Sequence, residues 1–404
     1  MTGAILTLNA GSSSLKFALF DPATPAMALL RGAVADLNAA PHLTAHDSEY
    51  NLLIDRHWQD RSEGSFTVIL TALFDFIDAH PGNDGLAAVG HRVVHGGGDH
   101  VKPERVTPAL LQSLTALISL DPIHMPHNIA PIRAIALARP KLPQIACFDT
   151  AFHHTLPPVE QRFALPRAIS DAGVRRYGFH GLSYEFIAGR LREEAPALAC
   201  GKVVVAHLGS GASLCALQDG ASTATTFGFS VLDGLVMATR CGSLDPGVIL
   251  YLGRQGLSFA SIEDMLYKRS GLLGVSGISE DIRVLLASSD VHAREAIELF
   301  TYRLAIEIAG MASALGGLDG IVFTAGIGEH SPEIRAAVCD RLAWLGVRLD
   351  FAANCADESC ISAVDSAVDV RVMATDEEAM IAQHVRDQLV SLKLAAENAG
   401  ERDG

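Results

Sequence analysis

Short apolar runs punctuated by glycine open the chain. Ile5 to Leu8 reads as a strand and Asn9-Ala10-Gly11-Ser12-Ser13-Ser14 as a turn, with a returning strand through Phe20. The pattern recurs about 200 residues later. There Val203 to Ala206 leads through His207-Leu208-Gly209-Ser210-Gly211 into Leu214 to Leu217. Asn9-x-Gly11 and His207-x-Gly209 hold like places, as a duplicated domain would leave them, although two glycine-turned hairpins can also arise independently. A second periodicity takes over further on. Ile297, Phe300, Leu304, Ile308, Met311 and Leu315 follow helical spacing, and Gly316-Gly317 supplies a stop. Ile321 to Ala325 then reads as a strand running into the turn Gly326-Ile327-Gly328. Ser331 is placed to cap a following helix, with Pro332 in its first turn. Thr375-Asp376-Glu377-Glu378 fits a Thr-x-x-Glu capping box, which puts Glu377 second in the last helix; the small, polar tail from Ala395 reads as frayed. Strands and helices alternating over short links predict α/β architecture.

Composition narrows the function. The chain has 404 residues, 49% of them hydrophobic and 19% charged, enough for packed cores in two or three domains. Its 31 Lys+Arg against 46 Asp+Glu leave a net charge of −15, which argues against nucleic acid or an anionic membrane as partner. No uncharged apolar run reaches the roughly 18 residues of a membrane span, and the N-terminus lacks a signal-peptide pattern. Seven widely spaced cysteines without a C-x-x-C pair suggest buried reduced thiols, and with them a cytoplasmic protein.

Against the acidic background, several segments concentrate cations beside glycine. Turns at Gly11 to Ser14, Gly209 to Ser213 and Gly326 to Gly328 each follow an apolar strand, where backbone N–H groups can approach a phosphate. Each alone is most simply a tight turn; three together favour a nucleotide. Lys16 stands just beyond the first, placed to pair with a phosphate oxygen. The full G-x-G-x-x-G, the Walker A pattern and the protein-kinase signature are absent. His91-Arg92-Val93-Val94-His95-Gly96-Gly97-Gly98 suits anion capture, against the plainer reading of a surface turn. Phe148-Asp149-Thr150 puts a carboxylate at a strand end, Arg175-Arg176-Tyr177-Gly178-Phe179-His180-Gly181 gathers cations, and Thr239-Arg240-Cys241-Gly242 does likewise.

Taken together these segments resemble the acetokinase family of short-chain carboxylate kinases. The resemblance runs from Leu6 through Lys16 to Thr375-Asp376-Glu377-Glu378, and its most specific parts are Arg176-Tyr177-Gly178-Phe179-His180-Gly181 and Phe323-Thr324-Ala325-Gly326-Ile327-Gly328-Glu329. It implies two duplicated ribonuclease-H-like domains, the fold of acetate and sugar kinases, heat-shock chaperones and actin. The division expected is 1–149 plus a C-terminal helix 383–404, and 150–382 as the nucleotide-binding domain. It also implies a cytoplasmic homodimer that transfers a phosphoryl group reversibly from ATP to acetate, giving acetyl phosphate and ADP. Mg²⁺ is the implied metal, with Mn²⁺ as an alternative. Residue by residue, Asn9 and Glu377 are expected around the metal, Lys16 near the phosphates, and Arg92, Val94 and His124 at the substrate. Asp149, His180 and Arg240 are expected to be catalytic. His207, Leu208, Gly209, Ser210 and Gly211 are expected at the nucleotide. So are Asp281, Ile282 and Arg283, and Gly326, Ile327, Gly328, Glu329 and His330.

Both substrates of such a reaction are anions, so cations and metal must offset their repulsion. A carboxylate acceptor with a pKa of roughly 4–5 is ionised at pH 7 and needs no general base. Asp149 is therefore expected to orient Arg or His side chains. The chain departs from the family pattern at Leu182-Ser183-Tyr184, where Thr-Ser-His is usual, and at Met125, Ser210, Phe227, Val231 and His330. Val94 and Ile123 are expected at the acyl pocket with Val231. These changes bear on chain length, since a methylene is worth about 1–3 kcal/mol, and they leave propionate or butyrate as alternative acceptors. A non-catalytic ATP-dependent interaction protein of the actin or chaperone fold is the alternative from another class.

Overall fold

The computed structural model describes residues 3–11, 13–25, 27–60, 63–79 and 85–400, with side chains through Leu394. The chain forms two compact units, Met1–Ala151 with Asp376–Gly404, and Phe152–Thr375.

The first unit is built on strands β1 (Ala4–Ala10), β2 (Leu15–Phe20), β3 (Ala28–Ala35), β4 (His42–Asp47), β5 (Leu52–His57), β6 (Leu86–Val93), β7 (Glu104–Arg105) and β8 (Gln144–Phe148), ordered β5-β4-β3-β2-β1-β6-β8-β7. The five strands β1 to β5 form an antiparallel meander, and β6 and β8 run parallel to β1. Nearly every residue of β1 is buried, as expected of a central strand covered on both faces. Helix Glu377–Gly400 packs on β1 and β6. Gly90 allows that approach: a Cβ there would lie 2.4 Å from Ile381 and 2.7 Å from Val385.

The second unit holds β9 (Lys202–Leu208), β10 (Ala212–Gln218), β11 (Ala221–Thr225), β12 (Gly320–Thr324) and β13 (Asp369–Val372), ordered β11-β10-β9-β12-β13. Here too an antiparallel triplet, β9 to β11, is followed by two strands parallel to its first member. The sub-sheet β3-β2-β1-β6-β8 has the same order and directions, so the two hairpins seen in the sequence are duplicated topology. Helix Gly181–Glu194 covers one face through Tyr184, Ile187 and Leu191 against Val203, Val205, Cys215 and Leu217. Helix Val291–Leu315 also packs on this sheet and ends at Gly316, whose φ of 66° is left-handed.

Several local expectations change. Gly326-Ile327-Gly328 is no open turn: helix Ala325–His330 begins directly after β12, entered through Ala325 at φ 64°. His91 and Arg92 belong to β6 and not to a loop. The last helix is capped by Asp376, whose Oδ1 accepts from Ala379 N at 2.8 Å, so the Thr375 box is not formed and Glu377 is its first residue. Ser331 does precede helix Pro332–Arg341, but its hydroxyl makes no capping bond. The tail stays helical to Gly400. Ser12 of the first turn lies outside the described residues; the turn is closed by Gly11 N donating to Ser14 O at 2.8 Å. All seven cysteines are unpaired, yet only Cys147, Cys215 and Cys339 are buried, whereas Cys200, Cys355 and Cys360 are exposed. Among the described residues no helix is long and apolar enough to cross a membrane.

Two buried histidines are structural. His91 Nε2 lies 2.8 Å from Gln144 Oε1, and His153 is held between Ser222 Oγ at 2.8 Å and Phe179 O at 3.0 Å. Burial lowers both to about 4, so both are neutral in the fold. The unfolded chain, with ordinary values of about 6.5, binds these protons first. Their contribution to stability is therefore complete above pH ~6.5 and is lost as pH falls towards ~4. Urea midpoints measured across that window should decline with acid, and His91→Gln should flatten the decline; an unchanged slope would contradict a buried neutral His91.

Candidate active site

In the first unit, three adjacent parallel strands each deliver one polar residue at the carboxyl end. Asn9 lies next to last in β1, Arg92 lies near the end of β6, and Asp149 follows β8, held by Asp149 N donating to Val93 O at 3.0 Å. Asp149 is fully buried, and both its oxygens accept from Arg92: Nε at 3.1 and 3.0 Å, and Nη2 at 2.5 Å. Arg92 Nη1 donates to Asn9 Oδ1 at 3.1 Å, and Asn9 Nδ2 donates to Glu377 Oε2 at 3.1 Å. Burial alone would lower the Arg92 pKa, but Asp149 and then Glu377 more than offset it and raise it. The Arg92 side chain as a whole keeps 19% of its exposure.

Lys16 faces Asn9 across the β1–β2 register and is exposed. It opposes a raised Glu378, whose carboxyl is pushed up by burial first and by Glu377 second. Val94 is buried, and its N–H donates to Asn128 Oδ1 at 2.9 Å. Asn128 Nδ2 in turn donates to Ala10 O at 2.8 Å, so this buried side chain fixes the backbone beside both Asn9 and Arg92. Sequence reading passed over Asn128; an amide on an otherwise apolar helix face was its only signal. His124 is half-buried, with Nδ1 2.9 Å from Asp121 Oδ1. Burial raises Asp121, but the His124 hydrogen bonds and charge prevail and lower it.

In the second unit, His180 occupies a left-handed conformation (φ 60°, ψ 23°) at the head of helix Gly181–Glu194, which for a non-glycine residue costs about 1–3 kcal/mol. Its Nδ1 lies 2.9 Å from Ser213 Oγ, which is 2.5 Å from the Tyr184 hydroxyl. Its ring centroid is 4.0 Å from that of His207, whose Nδ1 is 2.8 Å from Ser183 Oγ. Arg240 Nη1 donates to Val231 O at 2.7 Å. A Cβ on Gly211 would meet Arg240 Nη2 at 2.9 Å and His180 Nε2 at 3.3 Å, so the two side chains converge over that glycine.

A cavity of about 410 Å³ lies beside them, lined by Gly209, Ser210, Asp281, Ile282, Arg283, Gly326, Ile327 and His330, all expected, and also by Ala238, Glu280 and Ser331. This is the size range of small-molecule sites. His207, Leu208, Gly211, Gly328 and Glu329 do not line it. Glu329 Oε1 instead accepts from Ala325 N at 2.7 Å and Thr375 N at 3.3 Å, holding the strained entry to helix Ala325–His330. Arg335, fully buried, grips the other end: its Nη1 donates to Gly328 O at 2.9 Å and Glu329 O at 2.8 Å. Asp281 pairs with exposed Arg283, whose hydrogen bonds pull its carboxyl down to about 2. Arg175 and Arg176 are engaged by protein partners, Arg176 also facing Glu160 at 3.3 Å. Arg176 Nη1 donates to the carbonyls of Thr225, Thr226 and Phe227, and Arg175 to Gln161, so both fasten loops.

Known proteins resemble the chain over nearly its whole length. Residues 4–383 match the model of the Acetokinase family. The chain belongs to the acetokinase family. It is 52% identical to an acetate kinase of Rhodopseudomonas palustris over 392 residues, 95% of this chain and 98% of that one. Among solved structures, a propionate kinase from Francisella tularensis superposes with a TM-score of 0.89 at 36% identity, covering 95% of this chain and 99% of that one. The acetate kinase of Porphyromonas gingivalis gives 0.84 at 32% identity, with 95% and 98% covered. These relatives share the two-sheet α/β fold, as the sequence reading expected.

The departure at Tyr184 is now intelligible. Its hydroxyl is linked to His180 through Ser213, so Tyr184→Phe removes one partner from that chain without leaving a cavity. The His180 ring resonances should shift in NMR spectra of Tyr184→Phe while the melting temperature changes little. Unchanged resonances would show that Ser213 orients the imidazole unaided.

Proposed function

We propose that the chain catalyses reversible phosphoryl transfer between ATP and acetate, giving ADP and acetyl phosphate. What carries this reading is the family match over residues 4–383, supported by 52% identity to an acetate kinase over nearly the full length. An acetate oxygen attacks the γ-phosphorus, the bond from that phosphorus to the bridging oxygen breaks, and ADP leaves with the electron pair. No proton moves at the acceptor, because carboxylates of this kind are already ionised near neutrality.

In the first unit, Arg92 is assigned to the acceptor carboxylate. Its bidentate fork is oriented by Asp149, so Asp149 acts as a positioning residue. Val94, and with it His124, is assigned to the acceptor side. In the second unit, His180 and Arg240 are assigned to charge on the transferring oxygens, which a fixed array of donors stabilises without reorganisation. His207, with the Gly209–Ser210 turn, the 281–283 corner and the start of helix Ala325–His330, is assigned to the nucleotide. Lys16 is assigned to its phosphates.

The residues near Asn9 fit a hard divalent cation. Asn9 and Glu377 both carry side-chain oxygens, and the neighbouring Glu378 carboxyl is raised by burial first and by Glu377 second, the second being a cost that a cation relieves. Asn9 and Glu377 would hold Mg²⁺, or Mn²⁺ in its place. When bound, the ion supplies neutralisation of phosphate charge. A homodimer belongs to the same proposal, supported by the exposed apolar side chains Tyr302, Ile306 and Trp344. A cytoplasmic location is supported by seven unpaired thiols.

Propionate is the second acceptor to consider, because a propionate kinase is among the similar structures. Steady-state kinetics with Mg-ATP and acetate, propionate or butyrate test the reading. Acetate should give the highest kcat/KM, with propionate within the roughly 10–200-fold that one methylene commands; no transfer to any of the three would sink the assignment. Asp149→Asn should lower kcat by more than tenfold and, by leaving a buried guanidinium without its carboxylate, cost on the order of 3–5 kcal/mol of stability. Near-normal turnover would remove Asp149 from the mechanism. Glu377→Gln should move the Mg²⁺ dependence of the rate to higher concentration. An unchanged titration would reduce Glu377 to a helix-dipole role of about 0.3–1 kcal/mol.

A further inference from the structure

The outer hairpin of the first unit carries a group of side chains that phosphoryl transfer does not use. β5 is the edge strand of the eight-stranded sheet and pairs with β4 so that His42 faces His57 and Thr44 faces Asp55. Opposed residues and residues two apart project from the same face of a sheet. His42, Asp55 and His57 therefore share one face, opposite Leu43 and Ala45, which are buried in the core. On the neighbouring strand β3 the partners of His42 and Thr44 are Ala35 and Ala33, whose methyl groups leave the space above open. His42 Nε2 lies 2.8 Å and His57 Nε2 3.3 Å from the same carboxylate oxygen, Asp55 Oδ1. The two imidazoles stack with centroids 3.6 Å apart and planes 14° from parallel. Among the described residues, no other group of three His, Cys, Asp or Glu side chains brings its ligand atoms within 4.8 Å of one another.

We propose that His42, Asp55 and His57 form a surface site for a divalent transition-metal ion of the Zn²⁺ class. Two imidazole nitrogens and one carboxylate oxygen are donors that such ions take in preference to Mg²⁺ or Ca²⁺. Tetrahedral coordination with bonds of about 2.0–2.1 Å separates ligand atoms by about 3.3 Å, close to the spacings present. Three protein ligands leave the fourth position for water. The lone pairs of parallel rings do not meet at a point, so loading requires one ring to turn out of the stack. His57, with 68% of its side chain exposed, is free to do so. The bound ion ties β5 to β4 at the open edge of the sheet, and since it binds only the folded hairpin it favours the native state by mass action. The competing description is a metal-free contact in which Asp55 accepts hydrogen bonds from the stacked imidazoles.

The full-length protein, stripped with a chelator and then titrated with Co²⁺ and with Zn²⁺, separates the two. The wild type should bind an ion with visible Co²⁺ d–d bands that lack thiolate-to-cobalt charge transfer, which distinguishes this site from exposed Cys200, Cys355 and Cys360. His57→Ala, at an exposed position that leaves the core untouched, should abolish those bands and lower the Zn²⁺ stoichiometry by one ion per chain. His42→Ala and Asp55→Asn should do the same, all three with phosphoryl transfer unchanged. Zn²⁺ should raise the melting temperature of the wild type more than that of the variants. If stoichiometry and Co²⁺ spectrum survive His57→Ala and Asp55→Asn, the cluster is the metal-free contact.

Discussion

The arrangement of the first unit turns on one buried ion pair. Arg92 lies near the end of β6, and Asp149 supplies both carboxylate oxygens from just beyond the adjacent strand. Either charge alone would be costly at this depth; together, with Asn9 on the remaining nitrogen, they form a closed set of charge-assisted bonds. The pair also fixes the direction of the guanidinium. Its Nε and Nη2 are spent on Asp149, and its Nη1 donates to Asn9. Orientation and charge thus come from a single interaction, and Glu377 at the head of the terminal helix is drawn into it through Asn9.

Duplication explains why both halves place chemistry at corresponding ends of their sheets. In open α/β sheets, ligands gather at the carboxyl ends of parallel strands. In the first unit β1, β6 and β8 present Asn9, Arg92 and Asp149 there. In the second, the equivalent β9, β12 and β13 lead into His207, the helix at Ala325 and Thr375. The halves have diverged in what they offer. The first gathers charged side chains, while the second offers an open cavity, a glycine turn and the Arg240 and His180 side chains converging over Gly211. Its supports are also different. Glu329 and Arg335 brace the two ends of a six-residue helix that local propensity would not sustain.

Much of this was legible in the sequence where the signal was local. The apolar runs at Ile5, Val203 and Ile321 are strands, and the stop at Gly316 is a left-handed glycine. Local patterns failed where a distant partner decides. Gly326-Ile327-Gly328 looks like a turn, and only Glu329 and Arg335 together make it helical. Thr375 looks like a cap, but its hydroxyl bonds Ser183 and its neighbour Asp376 takes the role. His91 and Arg92 are adjacent letters with opposite fates, because alternation along β6 sends one into the core and the other to the carboxylate. The Asn9–Glu377 bond joins residues 368 positions apart, and no spacing rule reaches that far.

The charge balance is where sequence and structure bear on each other most directly. A chain of net charge −15 that handles anions must separate its cations by task. Arg176, although it lies in a glycine-rich, cationic segment, and Arg335 both donate to backbone carbonyls and act as fasteners. Arg283 is largely neutralised by Asp281. Arg92 and Arg240 are each fixed from one side, by Asp149 and by the Val231 carbonyl, and Gly211 lies beside the Arg240 guanidinium. What the cations of a segment can do is therefore decided by the partners that folding gives them and not by their number. The acidic excess is left to the surface, where it favours solubility without opposing binding.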